Sequence, residues 1–298
     1  MIMLNLFNSY TFIIVSIGCL TLGLVSGLVG CFTILRKQSL LGDGISHAAL
    51  PGVILAFLLT NNKNIEVLLT GALISGLLAT LIIYIINKNS KITFDRALAM
   101  ILSIFFGSGL VLLTISQKLP NAKQAGLDSF IYGQASTLLE RDLIIMLGLS
   151  IIIFIVILLL YKEFKLYCFD SEYCISIGYN STLINFIMMT IFVITIIIGL
   201  QTVGVILVSS MLVAPGVSAR QWSNKLSIML LFASIIGGLS GLLGTIISST
   251  YALPTGPVIV IILSIITIFS ILFAPNRGII SKIILLNKKK TLYKKGIL

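Results

Sequence analysis

Long apolar runs limit this chain to a fold that lies in a lipid bilayer. A helix crosses the hydrocarbon core with about 20 predominantly apolar residues. The run at 203–217 is shorter than that, so the pattern predicts eight or nine crossings, some of them short or broken. The nine runs occupy residues 10–35, 40–60, 66–86, 97–116, 142–161, 182–200, 203–217, 226–250 and 255–274.

The amino-acid composition excludes a soluble domain of this length. Of the 298 residues, 58% are apolar and only 10% are charged, which is too few charges to cover a surface that faces water. We therefore predict an all-α, polytopic membrane protein. We expect residues 1–298 to form a single transmembrane domain with a basic cytoplasmic tail at about 276–298.

The positive charges indicate the orientation of the chain. With the N-terminus outside, sixteen Lys and Arg residues fall on the side of the C-terminus and four on the other side. This bias places the C-terminus in the cytoplasm. The net charge of +11 is spread over short clusters between apolar runs, without a platform of aromatic and basic residues for stacking bases, so no nucleic-acid partner is expected.

Asp43 and His47 are the ionisable pair that an apolar run would not normally contain. His47 is the only histidine of the chain, and Asp43 is the only acid that falls inside a run. Residues four apart share one face of a helix, and both side chains ligate divalent transition metals. From the residues alone, three interpretations stay open. The pair could contact a metal, it could act as a proton relay, or Gly42 and Asp43 could cap the helix N-terminus while His47 hydrogen-bonds a neighbouring group.

Glycines and a proline suggest special packing in two places. Pro51 and Gly52 follow His47 by about one turn and suggest a broken or short helix that lines a cavity. Glycines also recur at a spacing of four, which lets helix backbones approach closely. Tight packing within one chain and a dimer interface are both open for these pairs, which are Gly23 with Gly27 and Gly237 with Gly241.

Catalytic and nucleotide-binding motifs are absent from the sequence. The chain has no HExxH, no P-loop and no CxxC pair. Ser46 precedes His47 directly, so the two side chains point apart on a helix and cannot act as a dyad. We expect a transport protein without enzymatic activity, whose ATP hydrolysis, if transport uses ATP, comes from a separate subunit.

Five ordered motifs resemble the permease subunits of the zinc/manganese/iron family of bacterial ABC importers. These motifs are LRKQSLLGDGISHAALPGVILAF (35–57), FDSEYCISIG (169–178), QTVGVILVSSMLVAPGVSAR (201–220), LPTGPVIVII (253–262) and FAPNRGI (273–279). The resemblance runs from about residue 10 to residue 280. Ser171 and Cys174 depart from the proline and alanine that the family has at these positions.

The resemblance implies a fold, a location and a set of partners. It implies a type II ABC-importer-like permease in the bacterial cytoplasmic membrane, working as a homo- or heterodimer. It also implies a pair of ABC ATPase subunits and an extracytoplasmic metal-binding protein that delivers the ion near residues 117–141 and 250–256. The cargo is manganese, zinc or ferrous iron, and no permanently bound cofactor is expected.

The same resemblance implies roles for single residues. Asp43 and His47 are the metal ligands, and we expect Ser46 and Pro51 beside them along the ion path. Two cytoplasmic segments could couple transport to the ATPase. The sequence favours Pro215 to Leu226, with Pro215, Ser218 and Arg220 as contacts. The alternative is Phe169 to Gly178, with Asp170 and Glu172.

One other class of protein fits the same sequence. An ATP-independent cation channel or a proton-coupled secondary transporter would use Asp43 and His47 as a titrating pair and would need no ATPase. Uptake without ATP would distinguish this alternative from an ABC importer.

Overall fold

A computed structural model of the chain describes residues 9–61, 64–118, 138–275 and 277–283. Within these ranges the secondary structure is helical and includes no strand. Most of the predicted outer segment at 117–141 and most of the predicted tail at 276–298 lie outside the described residues. The helices are α1 Tyr10–Leu35, α2 Leu41–Thr60, α3 Ile65–Asn89, α4 Phe94–Gln117, α5 Glu140–Leu159, α6 Tyr161–Phe169, α7 Ser171–Ser176, α8 Ser181–Val203, α9 Val205–Trp222, α10 Leu226–Tyr251 and α11 Thr255–Phe273.

Eight of the described helices are long and apolar enough to cross a membrane. They are α1 to α5, α8, α10 and α11. The shorter helix α9 covers the run at 203–217 and ends with Arg220 in its last turn. The prediction of eight or nine crossings in an all-α membrane fold is therefore confirmed.

Helix α9 is turned back into the bundle at a single residue. Gly204 separates α8 from α9 and has φ 87° and ψ 166°, a backbone region that essentially only glycine enters. The reversal brings Val208 of α9 against Gly199 of α8. As a result α9 packs against α1, α2, α8, α10 and α11, so it occupies the middle of the described bundle.

The paired glycines form the seam between α1 and α10, the pair of helices in most extensive contact. A Cβ atom on Gly23 would overlap the main-chain carbonyl of Gly237, and a Cβ on Gly241 would overlap that of Cys19. Gly27 lies equally close to the carbonyl of Ala233. The structure thus uses both glycine pairs for packing within one chain rather than for a contact between two chains.

The segment between α5 and α8, which carries no long apolar run, forms the two short helices α6 and α7. Phe164 of α6 is buried and meets Phe32 of α1 edge to face, with ring centroids 5.7 Å apart. Asp170 caps α7 by accepting a hydrogen bond of 2.9 Å from the backbone N–H of Tyr173. Polar side chains such as Lys162, Lys165 and Glu172 are exposed between the apolar ones, so the segment is helical without forming an apolar run.

Polar contacts tie the helices together at both ends of the bundle. At one end the Tyr10 hydroxyl donates to Glu140 at 2.9 Å, and Arg141 pairs with Glu66 at 2.5 Å. At the other end Arg277 donates to the side chain of Asn224 at 3.2 Å. The second end also holds α6 and α7, and it is the end that the charge bias assigns to the cytoplasm.

Candidate functional site

Asp43 and His47 lie in the first two turns of α2. The helix begins at Leu41, Leu40 is its N-cap residue, and no side chain caps it. Asp43 is therefore inside the first turn, and the interpretation of Gly42 and Asp43 as a cap is wrong. The predicted helix break is also absent, because α2 continues through Pro51 to Thr60.

The two side chains meet, as their spacing predicts. The His47 Nε2 and Asp43 Oδ1 atoms are 3.5 Å apart, with 23% and 47% of the respective side chains exposed. Two ligand atoms on a tetrahedral ion, with bonds of about 2.0–2.2 Å, lie about 3.4 Å apart. A small shift of either side chain would thus let both atoms contact one divalent cation.

An aromatic ring fixes the other side of the histidine. The ring of Phe106 in α4 meets the imidazole edge to face, with centroids 4.7 Å apart. This contact restricts the orientation of the imidazole. The aspartate is the more exposed member of the pair and is the one that reaches open space.

Asp43 lies at the wall of a groove between α2, α9 and α11. The groove has a volume of about 670 Å³. Its lining combines apolar side chains with hydroxyl groups, among them the adjacent Ser209 and Ser210 of α9 and Ser264 and Thr267, which lie three apart on α11. The lining residues are Ser39, Leu40, Asp43, Ser209, Ser210, Val213, Ala214, Val217, Ser264, Thr267 and Ile268.

The groove offers few strong ligands from one copy of the chain. Across the described ranges, no group of three or more His, Cys, Asp or Glu residues is placed to hold a metal ion. One copy of the chain therefore offers two potential ligand side chains here, Asp43 and His47, with hydroxyl groups nearby. A site with two protein ligands would hold an ion weakly, as a group that must also release it requires.

Ser46 and Pro51 do not line this groove. Ser46 is fully buried, and its hydroxyl donates to the backbone carbonyl of Asp43 at 2.9 Å. It therefore stabilises the turn that presents Asp43. Pro51 lines a different, apolar cavity of about 590 Å³ between α2, α3 and α4.

The two candidate coupling segments differ in exposure. Pro215 and Ser218 are buried inside the bundle, and the Ser218 hydroxyl donates to Ala214 O at 2.8 Å and contacts Thr267 Oγ1 at 2.9 Å. Arg220 is half-buried. Asp170, between α6 and α7, and Glu172 of α7 are exposed instead. Large apolar side chains are exposed beside them: Phe169, Tyr173, Ile175, Ile177 and Tyr179.

The hydroxyl groups of the groove were missed by sequence reasoning. Ser209 and Ser210 stand together in an apolar run, and Ser264 and Thr267 lie three apart in another. Serine and threonine in membrane helices commonly bond their own backbone, as Thr267 does with Leu263 O at 2.7 Å. The available signal was the spacing of Ser264 and Thr267, which places these two on one face of their helix.

Comparison with known proteins gives consistent results over nearly the whole chain. Residues 9–274 match the ABC 3 transport family. The zinc transport system membrane protein TroC of Treponema pallidum is 44% identical over 279 residues, covering 93% of this chain and 94% of that protein. The manganese transport system membrane protein MntC of Bacillus subtilis is 42% identical over 268 residues, covering 90% of this chain and 62% of that protein.

A solved structure shares the same arrangement of helices. PsaBC from Streptococcus pneumoniae, in complex with Fab, superimposes with a TM-score of 0.80 at 29% sequence identity. The match covers 91% of this chain and 95% of that one.

Proposed function

Because the chain belongs to the ABC 3 transport family, we propose that it is the permease of an ATP-driven importer that moves a divalent transition metal past Asp43 and His47. It is a membrane transport component and not an enzyme. The observation that supports the metal contact is the 3.5 Å separation of His47 Nε2 and Asp43 Oδ1 beside a hydroxyl-lined groove.

The proposed cargo is zinc or manganese. The two relatives described above are named for zinc and for manganese, and oxygen and imidazole ligands suit both ions. Iron, which the sequence left open, has no support in these comparisons. The metal is cargo that passes through the permease, so the chain needs no resident cofactor.

Two copies of the permease complete the ion site. One chain supplies Asp43 and His47 only, whereas a tetrahedral or partly hydrated octahedral ion takes four to six ligands. A second protomer, identical or related, would supply a second pair of ligands if the groove faces it. The ion would arrive from an extracytoplasmic metal-binding protein and leave on the cytoplasmic side by alternating access.

The ATPase docks on the cytoplasmic helices rather than on the segment that the sequence favoured. Pro215 and Ser218 are buried, so only a limited part of Pro215 to Leu226 is available to a partner. Phe169 and Tyr173 are exposed, with 62% and 54% of their surface accessible. Exposed aromatic anchors between charged residues are typical of protein interfaces. The proposed contacts are therefore centred on Phe169 to Gly178, with Asp170 and Glu172 at the rim.

Metal uptake by the reconstituted complex tests the proposal. The variants are Asp43→Asn and His47→Gln, which remove a ligand while nearly keeping its size. We expect uptake of radioactive manganese or zinc to fall by at least about 100-fold, since removing even a group that supports a ligand costs 10- to 100-fold. The matched control is Asp95→Asn, because Asp95 is exposed in the first turn of α4.

Two outcomes would contradict the proposal in different ways. Wild-type uptake by both ligand variants, at equal membrane levels, would move the ion path away from α2. Uptake that persists in the wild type without hydrolysable ATP would replace the importer with a channel or a proton-coupled transporter.

A further inference from the structure

Arg36 is a charged residue in an unusual environment, immediately after the end of α1. Its guanidinium donates to Asn185 Oδ1 at 2.7 Å and to Tyr167 Oη at 3.4 Å, and it lies 4.9 Å from the centre of the Tyr167 ring. A third contact reaches Met188 Sδ at 3.7 Å. Burial lowers the pKa of this guanidinium below its ordinary value. The half-buried side chain thus directs its guanidinium to partners within the protein.

None of these partners is a carboxylate. Among the described residues, the ion pairs are Asp43 with His47 and Glu66 with Arg141, and neither includes Arg36. Taking a cation out of water without an opposite charge is unfavourable. Arg36 is half-buried, whereas an arginine whose only role was to orient the chain in the membrane could remain in water and still satisfy the positive-inside rule.

The residues that follow Arg36 form a rigid turn that leads into α2. Lys37 has a positive φ of 57°. The Gln38 N–H donates to Thr33 O at 2.8 Å, and the Leu41 N–H donates to Gln38 O at 3.1 Å. These bonds connect the end of α1 to the first residue of α2, so displacing Arg36 would displace the helix that carries Asp43.

The partners of Arg36 lie on elements that face the cytoplasm. Tyr167 belongs to α6, and α6 continues through the capping residue Asp170 into the exposed helix α7. Asn185 lies in the first two turns of α8. Arg36 therefore provides a contact between α6 and the turn that precedes the helix of Asp43 and His47.

We propose that Arg36 is a positioning residue that links the cytoplasmic helices α6 and α7 to α2, so that a movement of α6 imposed by the ATPase is transmitted to Asp43 and His47. This inference rests on the proposed function. Arg36 does not touch the ion in this arrangement. Its planar guanidinium contacts an amide and an aromatic ring at the same time, which a lysine cannot reproduce.

Four substitutions separate the elements of this link. Arg36→Gln removes the charge, and Arg36→Lys keeps it without the planar fork. Tyr167→Phe keeps the ring and loses the hydroxyl, whereas Tyr167→Leu loses both and leaves Arg36 unchanged. The transport readout is the amount of metal taken up per ATP hydrolysed by the reconstituted complex.

We expect Arg36→Gln and Tyr167→Leu to keep ATP hydrolysis and to lower uptake per ATP by about 10-fold, within the usual range of coupling between sites. Arg36→Lys should restore part of this loss, and Tyr167→Phe should be close to the wild type. A residue needed only for folding would change the amount of complex but not the uptake per ATP.

Cysteine labelling measures the same link without metal or ATP. Cys168 is half-buried next to Tyr167, whereas Cys19 and Cys31 are fully buried in α1. We expect maleimide to label Cys168 several times faster in Arg36→Gln, with Cys19 and Cys31 still protected, as read by mass spectrometry of peptides. If Arg36→Gln also exposes Cys19, that variant is unfolded. The labelling of Cys168 in Tyr167→Leu then tests the link.

The outcomes distinguish this inference from the proposed function. Unchanged Cys168 labelling together with unchanged uptake per ATP, in both Arg36→Gln and Tyr167→Leu, overturns the link even if Asp43→Asn abolishes uptake. Wild-type uptake by Asp43→Asn overturns the ion path, and the labelling result then still reports whether Arg36 holds α6 against the turn.

Discussion

Small residues serve opposite purposes in two regions of this bundle. At the seam between α1 and α10, glycines bring two backbones into direct contact and leave no space for a Cβ atom. In the groove between α2, α9 and α11, serines and a threonine leave a volume of about 670 Å³ open beside Asp43. Small side chains at the seam leave no space between the two backbones, whereas small side chains in the groove leave space beside the carboxylate of Asp43.

The difference shows what holds a membrane bundle together and what gives it a function. Water drives no association between apolar helices in lipid, so close backbone packing has to supply the stability. A polar side chain in the same environment is expensive and is kept where it lines a path or a cavity. We therefore expect seam substitutions to reduce the amount of folded protein and groove substitutions to reduce transport.

The largest effect is expected at the seam. Gly237→Ala would drive a methyl group into the carbonyl of Gly23 and should lower the free energy of unfolding by about 3 kcal/mol, the upper end for overpacked cores. Denaturant unfolding in detergent measures this. Gly107→Ala is the matched control, because a Cβ there meets nothing within 4 Å. Equal stability of the two variants would remove the distinction between seam and surface.

A smaller loss of stability is expected where the chain enters the groove region. Gly204→Ala places a side chain at φ 87° and ψ 166°, which costs about 1–3 kcal/mol. Because Gly204 sets the direction of α9, uptake per molecule should also fall. Thermal unfolding compared with Gly148→Ala, whose added Cβ would meet nothing within 4 Å, provides the measurement. If Gly204→Ala unfolds at the same temperature as Gly148→Ala, the direction of α9 is not fixed by this turn.

Filling the groove should affect transport without affecting folding. Ser210→Leu adds an apolar branch to a half-buried position that faces Asp43 across the groove. We expect uptake to fall by about 10-fold, which corresponds to ~1.4 kcal/mol on the transport barrier, at normal protein levels. Ser103→Leu on the exposed face of α4 is the control. If both variants transport normally, the ion does not use this groove.

The smallest effect is expected from removing one hydroxyl. Ser210→Ala keeps the space and deletes a single oxygen, so an ion that is mainly bound by Asp43 and His47 should lose little. We expect uptake to fall by about twofold to threefold, less than the ~1 kcal/mol of an average hydrogen bond. A loss as large as that of Asp43→Asn would make Ser210 a ligand rather than part of the lining.

Much of the site could be predicted from local spacing, and its surroundings could not. The pairing of Asp43 with His47 follows from four residues of one helix, and the structure places their side chains 3.5 Å apart. The exposure of Phe169 and the burial of Ser218 depend on which helices cover them. The sequence of a short polar segment does not show whether other helices cover it. For this reason the sequence favoured Pro215 to Leu226 for coupling, although Phe169 to Gly178 is the more accessible segment.

The sequence by itself determined the class of fold, a range of eight or nine crossings and the position of the ionisable pair in one apolar run, because the bilayer acts on each segment separately. The tertiary structure alone decided that the two glycine pairs meet each other, that hydroxyls of α9 and α11 line one groove with Asp43, and that Arg36 contacts Tyr167 of α6 and Asn185 of α8. Each of these contacts brings together residues far apart in the chain. Their geometry depends on helix rotation and depth, which apolar composition leaves undetermined.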